Sequence, residues 1–256
     1  SMKPTAVAVA AALCCVPVAQ AQTAADAGLQ TVTVTAQKRK EDIRQVPLSV
    51  SVVSGENLQD NHISNFAELV GSVPNLSFSA ASGAGAGLST LQLRGVSSQA
   101  GSATVSVYLD DVSLTTRNLY SQGTAEPRFF DVDRLEVLRG PQGTLYGASS
   151  LGGTLKFISK QPDLKSFGGT AKAEVSSTSA GGMNYSLQGV LNVPLARDAL
   201  ALRIGVETGR ESGTIDRVDV NTLKVIEKDI NDARWSVLKL ALKAQLDKNW
   251  TLTPAL

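Results

Sequence analysis

His62 is the only histidine in the 256 residues, and Cys14 and Cys15 are the only cysteines. A lone histidine gives no workable Ser–His–Asp triad. A histidine- or cysteine-based metal site needs several such ligands, and both cysteines sit in a segment that reads as a removable leader. Asp110-Asp111 resembles a carboxylate pair, but adjacent residues on a strand point to opposite faces, so a turn is the better reading. The run Gly83-Ala84-Gly85-Ala86-Gly87 lacks the third glycine of a dinucleotide loop, because Leu88 stands there. No phosphate-loop Gly-Lys-Ser/Thr is present. The residues therefore predict neither an enzyme nor a chain holding a metal or a covalently bound cofactor. The 24 basic and 23 acidic residues leave a net charge of +1, which gives no basic footprint for nucleic acid.

The functional burden then falls on segments rather than on reactive side chains. Residues 1–21 read as a signal peptide. Lys3 supplies the positive start, Ala6 to Val18 the apolar stretch, and Ala19-Gln20-Ala21 the small-residue cleavage site. Leu13 precedes Cys14, so there is no lipobox. The mature chain is expected to be exported and free of cysteine, hence not a disulfide scaffold. Without an apolar run of transmembrane-helix length, two classes remain: a soluble periplasmic protein or an outer-membrane β-barrel.

Residues 22–45 read as a flexible, polar linker interrupted by the β-branched alternation Thr31-Val32-Thr33-Val34-Thr35. A strand with no evident partner in its own fold is a candidate for pairing with another protein's sheet edge, although its spacing equally fits an ordinary edge strand. Residues 46–162 read as a small α+β domain. Strands are predicted over Leu48–Val53, at Leu91 and Leu93, at Val105, Val107 and Leu109, and over Leu135–Leu138 and Leu155–Ile158. Ser54 is a candidate N-cap for a helix carrying Leu58. A second helix over Asn65–Val70 shows Phe66, Leu69 and Val70 on one face and stops at Gly71 and Pro74.

From residue 163 to 256 the period changes to two. Ala171, Ala173 and Val175 alternate with Lys172, Glu174 and Ser176. Tyr185, Leu187, Leu191 and Val193 alternate with Ser186, Gln188 and Asn192. Leu200, Leu202, Ile204 and Val206 alternate with Arg203 and Glu207, and Leu238, Leu240 and Leu242 with Lys239 and Lys243. Segments of roughly ten residues suit tilted transmembrane strands. Tight joins at Ala196-Arg197-Asp198 and Asp247-Lys248-Asn249 contrast with the long join from Glu211 to Ala233. A soluble sheet with one wet face alternates identically. The leader, the strand lengths and the unequal joins favour the membrane.

The run from Phe130 to Gly147, with Leu138-Arg139-Gly140-Pro141-Gln142-Gly143-Thr144-Leu145-Tyr146-Gly147 at its heart, followed by Gly152-Gly153-Thr154 and Phe157-Ile158-Ser159-Lys160, closely resembles the plug signature of TonB-dependent outer-membrane receptors. Leu93-Arg94-Gly95-Val96 and Val107-Tyr108-Leu109-Asp110-Asp111-Val112 resemble two further plug motifs of that family, and Thr31–Thr35 stands where its TonB box would stand.

The resemblance implies an α+β plug domain followed by the first antiparallel strands of a transmembrane β-barrel of about 22 strands, of which 163–256 would supply four or five. It implies TonB as a partner, pairing with Thr31, Val32, Thr33, Val34 and Thr35 while flexible flanks keep the box available. Outer-membrane lipid would be the solvent, and a small-molecule ligand, foremost a ferric siderophore, the cargo of a monomer with its box in the periplasm. Arg94 and Arg139 resemble the plug arginines that latch onto barrel glutamates, here beyond Leu256. Gly95, Gly140, Pro141, Gly143 and Gly147 would form tight or positive-φ turns. Ser82, Gly83, Ser98 and Gln99 lie in loops resembling the ligand-contacting apices. The short stretch before the box favours transporter over transducer. The alternative is a stand-alone periplasmic binding module that transports nothing.

Overall fold

The computed structural model describes residues 32–80, 89–97, 102–115, 126–179 and 181–256. At its start, β1 (Thr33–Val34) and β2 (Glu41–Asp42) pair as a hairpin, Thr33 opposite Asp42 and Val34 opposite Glu41. β3 (Ser49–Ser54) then runs into α1 (Gly55–Asp60), whose first turn is capped by the Ser54 hydroxyl accepting from the Asn57 N–H. α2 (Phe66–Leu69) begins at Asn65, whose side chain accepts from the Glu68 N–H, while the Glu68 carboxylate reaches back to the Ser64 N–H. β4 (Leu76–Ala80) and β5 (Ser89–Leu93) form a separate antiparallel pair.

β6 (Val105–Leu109), β7 (Val112–Ser113), β8 (Val132–Arg139), α3 (Gly143–Tyr146) and β9 (Gly153–Ser159) complete this first domain. Its sheet has the order β3-β8-β9-β6-β7, antiparallel throughout except for β6 beside β9. One face carries Val105, Val107, Leu135, Val137, Leu155 and Phe157, and buries them against Leu58, Phe66 and Leu69 of the two helices. Phe66 sits at the centre, its ring against Phe78, Phe129 and Phe157. Each such side chain, fully buried, contributes about 1.5–3 kcal/mol of transfer free energy.

The other face of the same sheet mixes polar with apolar residues, and its polar residues are buried as well. Ser106, Glu136, Thr154 and Lys156 lie on it, and the β1–β2 hairpin covers part of it. The Ser106 and Thr154 hydroxyls are bonded at 2.8 Å, and Ser150 donates to Ser106 at 2.8 Å. Closed hydroxyl chains of this kind offset the cost of burying polar atoms.

The second unit is a meander of long strands: β10 (Gly168–Ser177), β11 (Met183–Ala196), β12 (Leu200–Glu211), β15 (Ala233–Gln245) and β16 (Thr251–Leu252), in that spatial order and antiparallel throughout. The long join between β12 and β15 carries its own hairpin, β13 (Arg217–Val218) with β14 (Val225–Glu227). At the opposite end the chain turns tightly at 197–199, where Asp198 takes a φ of 60°.

Burial in this sheet runs opposite to a soluble protein's. Leu187 and Leu238 are each 57% exposed, whereas Asn192 is 5% and Glu207 1% exposed. The polar row faces the first domain and the apolar row faces outward. A water-soluble sheet buries the apolar row; this arrangement suits a wall whose outer surface meets hydrocarbon. No helix among the described residues is long and apolar enough to cross a membrane.

The predicted strands and both predicted helices are present. β4 and α3 were not predicted. The first is an alternation of only five residues, Leu76-Ser77-Phe78-Ser79-Ala80, and the second lies in a glycine-rich stretch whose composition speaks for turns.

Candidate functional site

The N-terminal strand does have a partner within its own fold, which corrects the expectation that it stands alone between flexible flanks. Ile43 donates to the Val32 carbonyl at 3.0 Å, and Lys38 closes the turn by donating to the Thr35 carbonyl at 2.9 Å. Val34 and Ala36 are fully buried, packed in one cluster with Val46, Tyr108, Leu138 and Tyr146. Val32 stays 40% exposed, so the two valines of the alternation do not share an environment. The physical reason is a reversal at Lys38, with a φ of 60°, that folds the charged run 38–42 back beside the strand. Thr31 lies outside the described residues.

Under this hairpin lies Glu136, with no exposed surface. Its carboxylate accepts from the Thr35 N–H at 2.8 and 3.0 Å and from the Thr35 hydroxyl at 3.2 Å. The Arg134 Nε donates to it at 2.9 Å and supplies the countercharge. Tyr146 donates its hydroxyl to the Ala36 carbonyl at 2.8 Å, and Tyr108 donates to the Tyr146 carbonyl at 2.7 Å. Burial, together with the nearby Glu136 and Asp111 carboxylates and Tyr108, pushes the Tyr146 phenol well above the ordinary tyrosine range. Glu136 and Tyr146 were not predicted as site residues. The signal was there: a glutamate inside the apolar run Leu135-Glu136-Val137-Leu138 is a buried charge in need of a partner.

Arg94 and Arg139 come together at the end of β3. Arg94 donates to the Ser49 hydroxyl at 3.1 Å and Arg139 to the Ser51 hydroxyl at 2.6 Å. Neither has an ion-pair partner among the described residues, and the Arg139 Nε is buried without any acceptor. Burial, then the neighbouring Arg94 charge, lowers the Arg139 pKa from the ordinary arginine value. Two like charges beside each other with an orphaned donor form an arrangement that a carboxylate would complete.

The predicted turn glycines divide. Gly95, Gly140 and Gly147 have φ of 74°, 90° and 71°, conformations that other residues rarely adopt. Gly143 instead opens α3, downstream of the exposed Pro141, and takes no positive φ. It is a helix start because its carbonyl accepts from the Gly147 N–H. Ser82, Gly83, Ser98 and Gln99 lie outside the described residues.

The seam between domain and wall was missed by sequence reading. The inner face of β12 presents Arg203, Gly205 and Glu207 in alternate positions, and the segment 128–131 runs along them. Arg203 grips Asp131 through two hydrogen bonds of 2.7 and 2.6 Å. The Phe130 ring lies over Gly205, where a Cβ would come within 3.0 Å of it. Arg128 donates to Glu207 at 3.1 Å and stacks over the Trp235 ring at 4.1 Å. Trp235 Nε1 also donates to Glu207 at 3.1 Å, and Lys239 donates to the Phe130 carbonyl. A cleft of about 660 Å³ opens beside this seam, lined by residues such as Gln59, His62, Glu68, Lys172, Gln188 and Arg210. Among the described residues no cluster of histidine, cysteine or carboxylate side chains could hold a metal. These contacts hold the first domain against the wall and the first strand against the first domain.

Comparison with known proteins agrees with this geometry. Residues 42–154 match the TonB-dependent Receptor Plug Domain family. The pesticin receptor of Yersinia pestis is 31% identical over 182 residues, covering 70% of this chain and 26% of the receptor. The iron-regulated outer membrane virulence protein of Vibrio cholerae is 28% identical over 197 residues, 73% of this chain and 29% of that protein. Among solved structures, the ferric yersiniabactin uptake receptor FyuA from Yersinia pestis superposes with a TM-score of 0.64 at 27% identity, over 81% of this chain and 30% of that one. The chain thus spans under a third of the length of these relatives. Its first domain is a TonB-dependent receptor plug, its second unit consists of barrel-wall strands, and the chain belongs to the TonB-dependent receptors of the Gram-negative outer membrane.

Proposed function

We propose that this chain is the plug and first wall sector of an energy-coupled importer that carries a scarce small molecule, foremost a ferric siderophore, across the outer membrane. The observation that carries the reading is the inverted wall. Its apolar row faces outward and its polar row is covered by the plug, so the plug occupies the inside of a membrane sheet. The iron-regulated virulence protein, a vitamin B12 transporter and the ferric yersiniabactin receptor, all among the relatives, support import and favour iron. In this reading Thr31–Thr35 is the TonB box. Arg94 and Arg139, without an ion-pair partner among the described residues, would meet glutamates from the rest of a barrel of about 22 strands.

The experiment expresses the full-length gene product in cells lacking their own receptors, with and without tonB. Uptake is measured for radio-iron complexes of hydroxamate, catecholate and phenolate siderophores and for labelled cyanocobalamin. Uptake of one probe that requires tonB is the expected result. Recovery of the product in the soluble periplasm, with no uptake of any probe, would favour a stand-alone binding module.

A further inference from the structure

We propose that Arg210 and Arg234 form a binding site for the phosphate of an outer-leaflet lipid, on the outward side of the wall at the edge of its apolar band. The proposal needs the membrane wall and no particular cargo. The pairing registers stack the outward side chains in levels. Leu191, Ile204 and Leu240 stand side by side, then Val206 and Leu238, then Leu187, Thr208 and Ser236, then Val175, Tyr185, Arg210 and Arg234. Leu191, Val206, Leu238, Leu187 and Tyr185 are all exposed, so this is the row that meets lipid. The Thr208 and Ser236 hydroxyls, bonded to each other at 3.2 Å, mark where the band gives way to polar groups. From Leu200 to Arg210, about 3.3 Å per residue and a tilt of roughly 40° give about 25 Å of height, the thickness of an outer-membrane apolar band. The two arginines therefore stand at headgroup level. They stand at the end that carries the long join with β13 and β14, and long joins face the outside.

The carboxylate beside these arginines does not saturate them. Asp232 Oδ2 accepts from Arg234 Nε and Nη2 at 3.3 Å and lies 3.4 Å from Arg210 Nε, which is buried and makes no hydrogen bond. Charge-assisted bonds run about 2.7–2.9 Å, and the Arg203–Asp131 pair at the seam reaches 2.6 and 2.7 Å. Two guanidinium groups thus share one loosely held oxygen and keep donors to spare, with 70% of the Arg234 side chain exposed. Arg210 borders the inner cleft where β12 nears its end, but its guanidinium lies beside Asp232, on the Arg234 side of the sheet. Glu211, the next residue, falls on the plug side with Glu207 and does not neutralise the pair. A phosphate offers the several acceptor oxygens that guanidinium forks match. Tyr185, directly opposite Arg210, adds an amphipathic ring at the same height. A lipid also covers Leu187, Val206 and Leu238 with its acyl chains, which a free phosphate cannot do, so the site continues the lipid-facing surface. Each arginine near an anionic headgroup is worth about fivefold in affinity.

The test titrates the purified full-length receptor, in detergent micelles, with bis-phosphorylated lipid A, with the same lipid stripped of its phosphates, and with inorganic phosphate. Native mass spectrometry counts the bound lipid, and the difference between variant and unaltered receptor isolates this site from others on the wall. Arg234→Gln and Arg210→Gln are each expected to weaken binding of the phosphorylated lipid about fivefold and to leave binding of the stripped lipid unchanged. Asp232→Asn is expected to strengthen it by a similar factor, because the competing carboxylate is gone; damage to the fold would not raise affinity. Arg234 is mostly exposed, so its replacement leaves the wall intact. If Arg234→Gln and Asp232→Asn both bind the phosphorylated lipid as the unaltered receptor does, the site is refuted. Equal binding of the stripped lipid to the unaltered receptor would reduce the contact to its apolar part and overturn the proposal. Displacement of the lipid by millimolar inorganic phosphate would make this a free-anion site and overturn the lipid assignment.

Discussion

The Arg203 guanidinium grips the Asp131 carboxylate with two parallel hydrogen bonds, Nε to Oδ2 at 2.7 Å and Nη2 to Oδ1 at 2.6 Å, joining wall to plug with only 12% and 9% of the two side chains exposed. Removing one partner leaves the other charge buried and alone, which costs about 3 kcal/mol. Asp131→Asn and Arg203→Met are each expected to lower the thermal unfolding midpoint of the purified receptor. The double variant should cost less than the sum of the singles. Strict additivity in that cycle would mean that the pair is not coupled.

Gly205 leaves room for the Phe130 ring, since a Cβ there would meet ring carbons at 3.0 and 3.1 Å. Gly205→Val is therefore expected to push the plug off the wall at this point and to cost about 1–3 kcal/mol. Phe130→Ala in the same chain should recover part of the loss by opening the space. Protease accessibility around Arg128 reports the detachment. A Gly205→Val receptor as resistant as the unaltered one would show that the ring has another place to go.

Arg139 is half of a cation pair with an orphaned Nε. If wall glutamates complete it in the full-length receptor, Arg139→Ala there should cost about 3 kcal/mol, because a buried carboxylate loses its partner. A loss below about 0.5 kcal/mol, typical of a surface position, would mean that no carboxylate meets it.

The Tyr146 phenol is raised by burial and by nearby carboxylates, so the folded plug favours its neutral form. A group whose folded pKa lies above its unfolded value stabilises the fold fully below the unfolded pKa, about 10 for tyrosine, and loses that contribution as pH rises beyond it. Plug stability is expected to fall above that pH, and Tyr146→Phe should flatten the fall. Denaturation midpoints across the alkaline range check this; identical slopes in both proteins would assign the fall to another group.

Much of the architecture was legible because it rests on local rules. Ser54 and Asn65 cap the helices they were expected to start. The apolar and polar rows of β11, β12 and β15 follow the period of two written in the chain. The seam was not legible. Nothing near Asp131 in sequence names Arg203, and a glycine at position 205 reads as an interruption until Phe130 is seen lying on it.

The sequence by itself determined the family, the two-part order of plug and wall, and the alternation of each wall strand, since motif, cap and pleat are properties of neighbouring residues. Only the tertiary structure decided which row of the wall faces the plug and that the N-terminal strand is docked. It also decided that Glu136, Tyr146, Asp131 and Arg203 carry the contacts. A buried charge is tolerated only where a partner from a distant segment meets it. Which segments meet is settled by the packing of sheets and helices, 101 positions apart for Thr35 and Glu136 and 72 for Asp131 and Arg203.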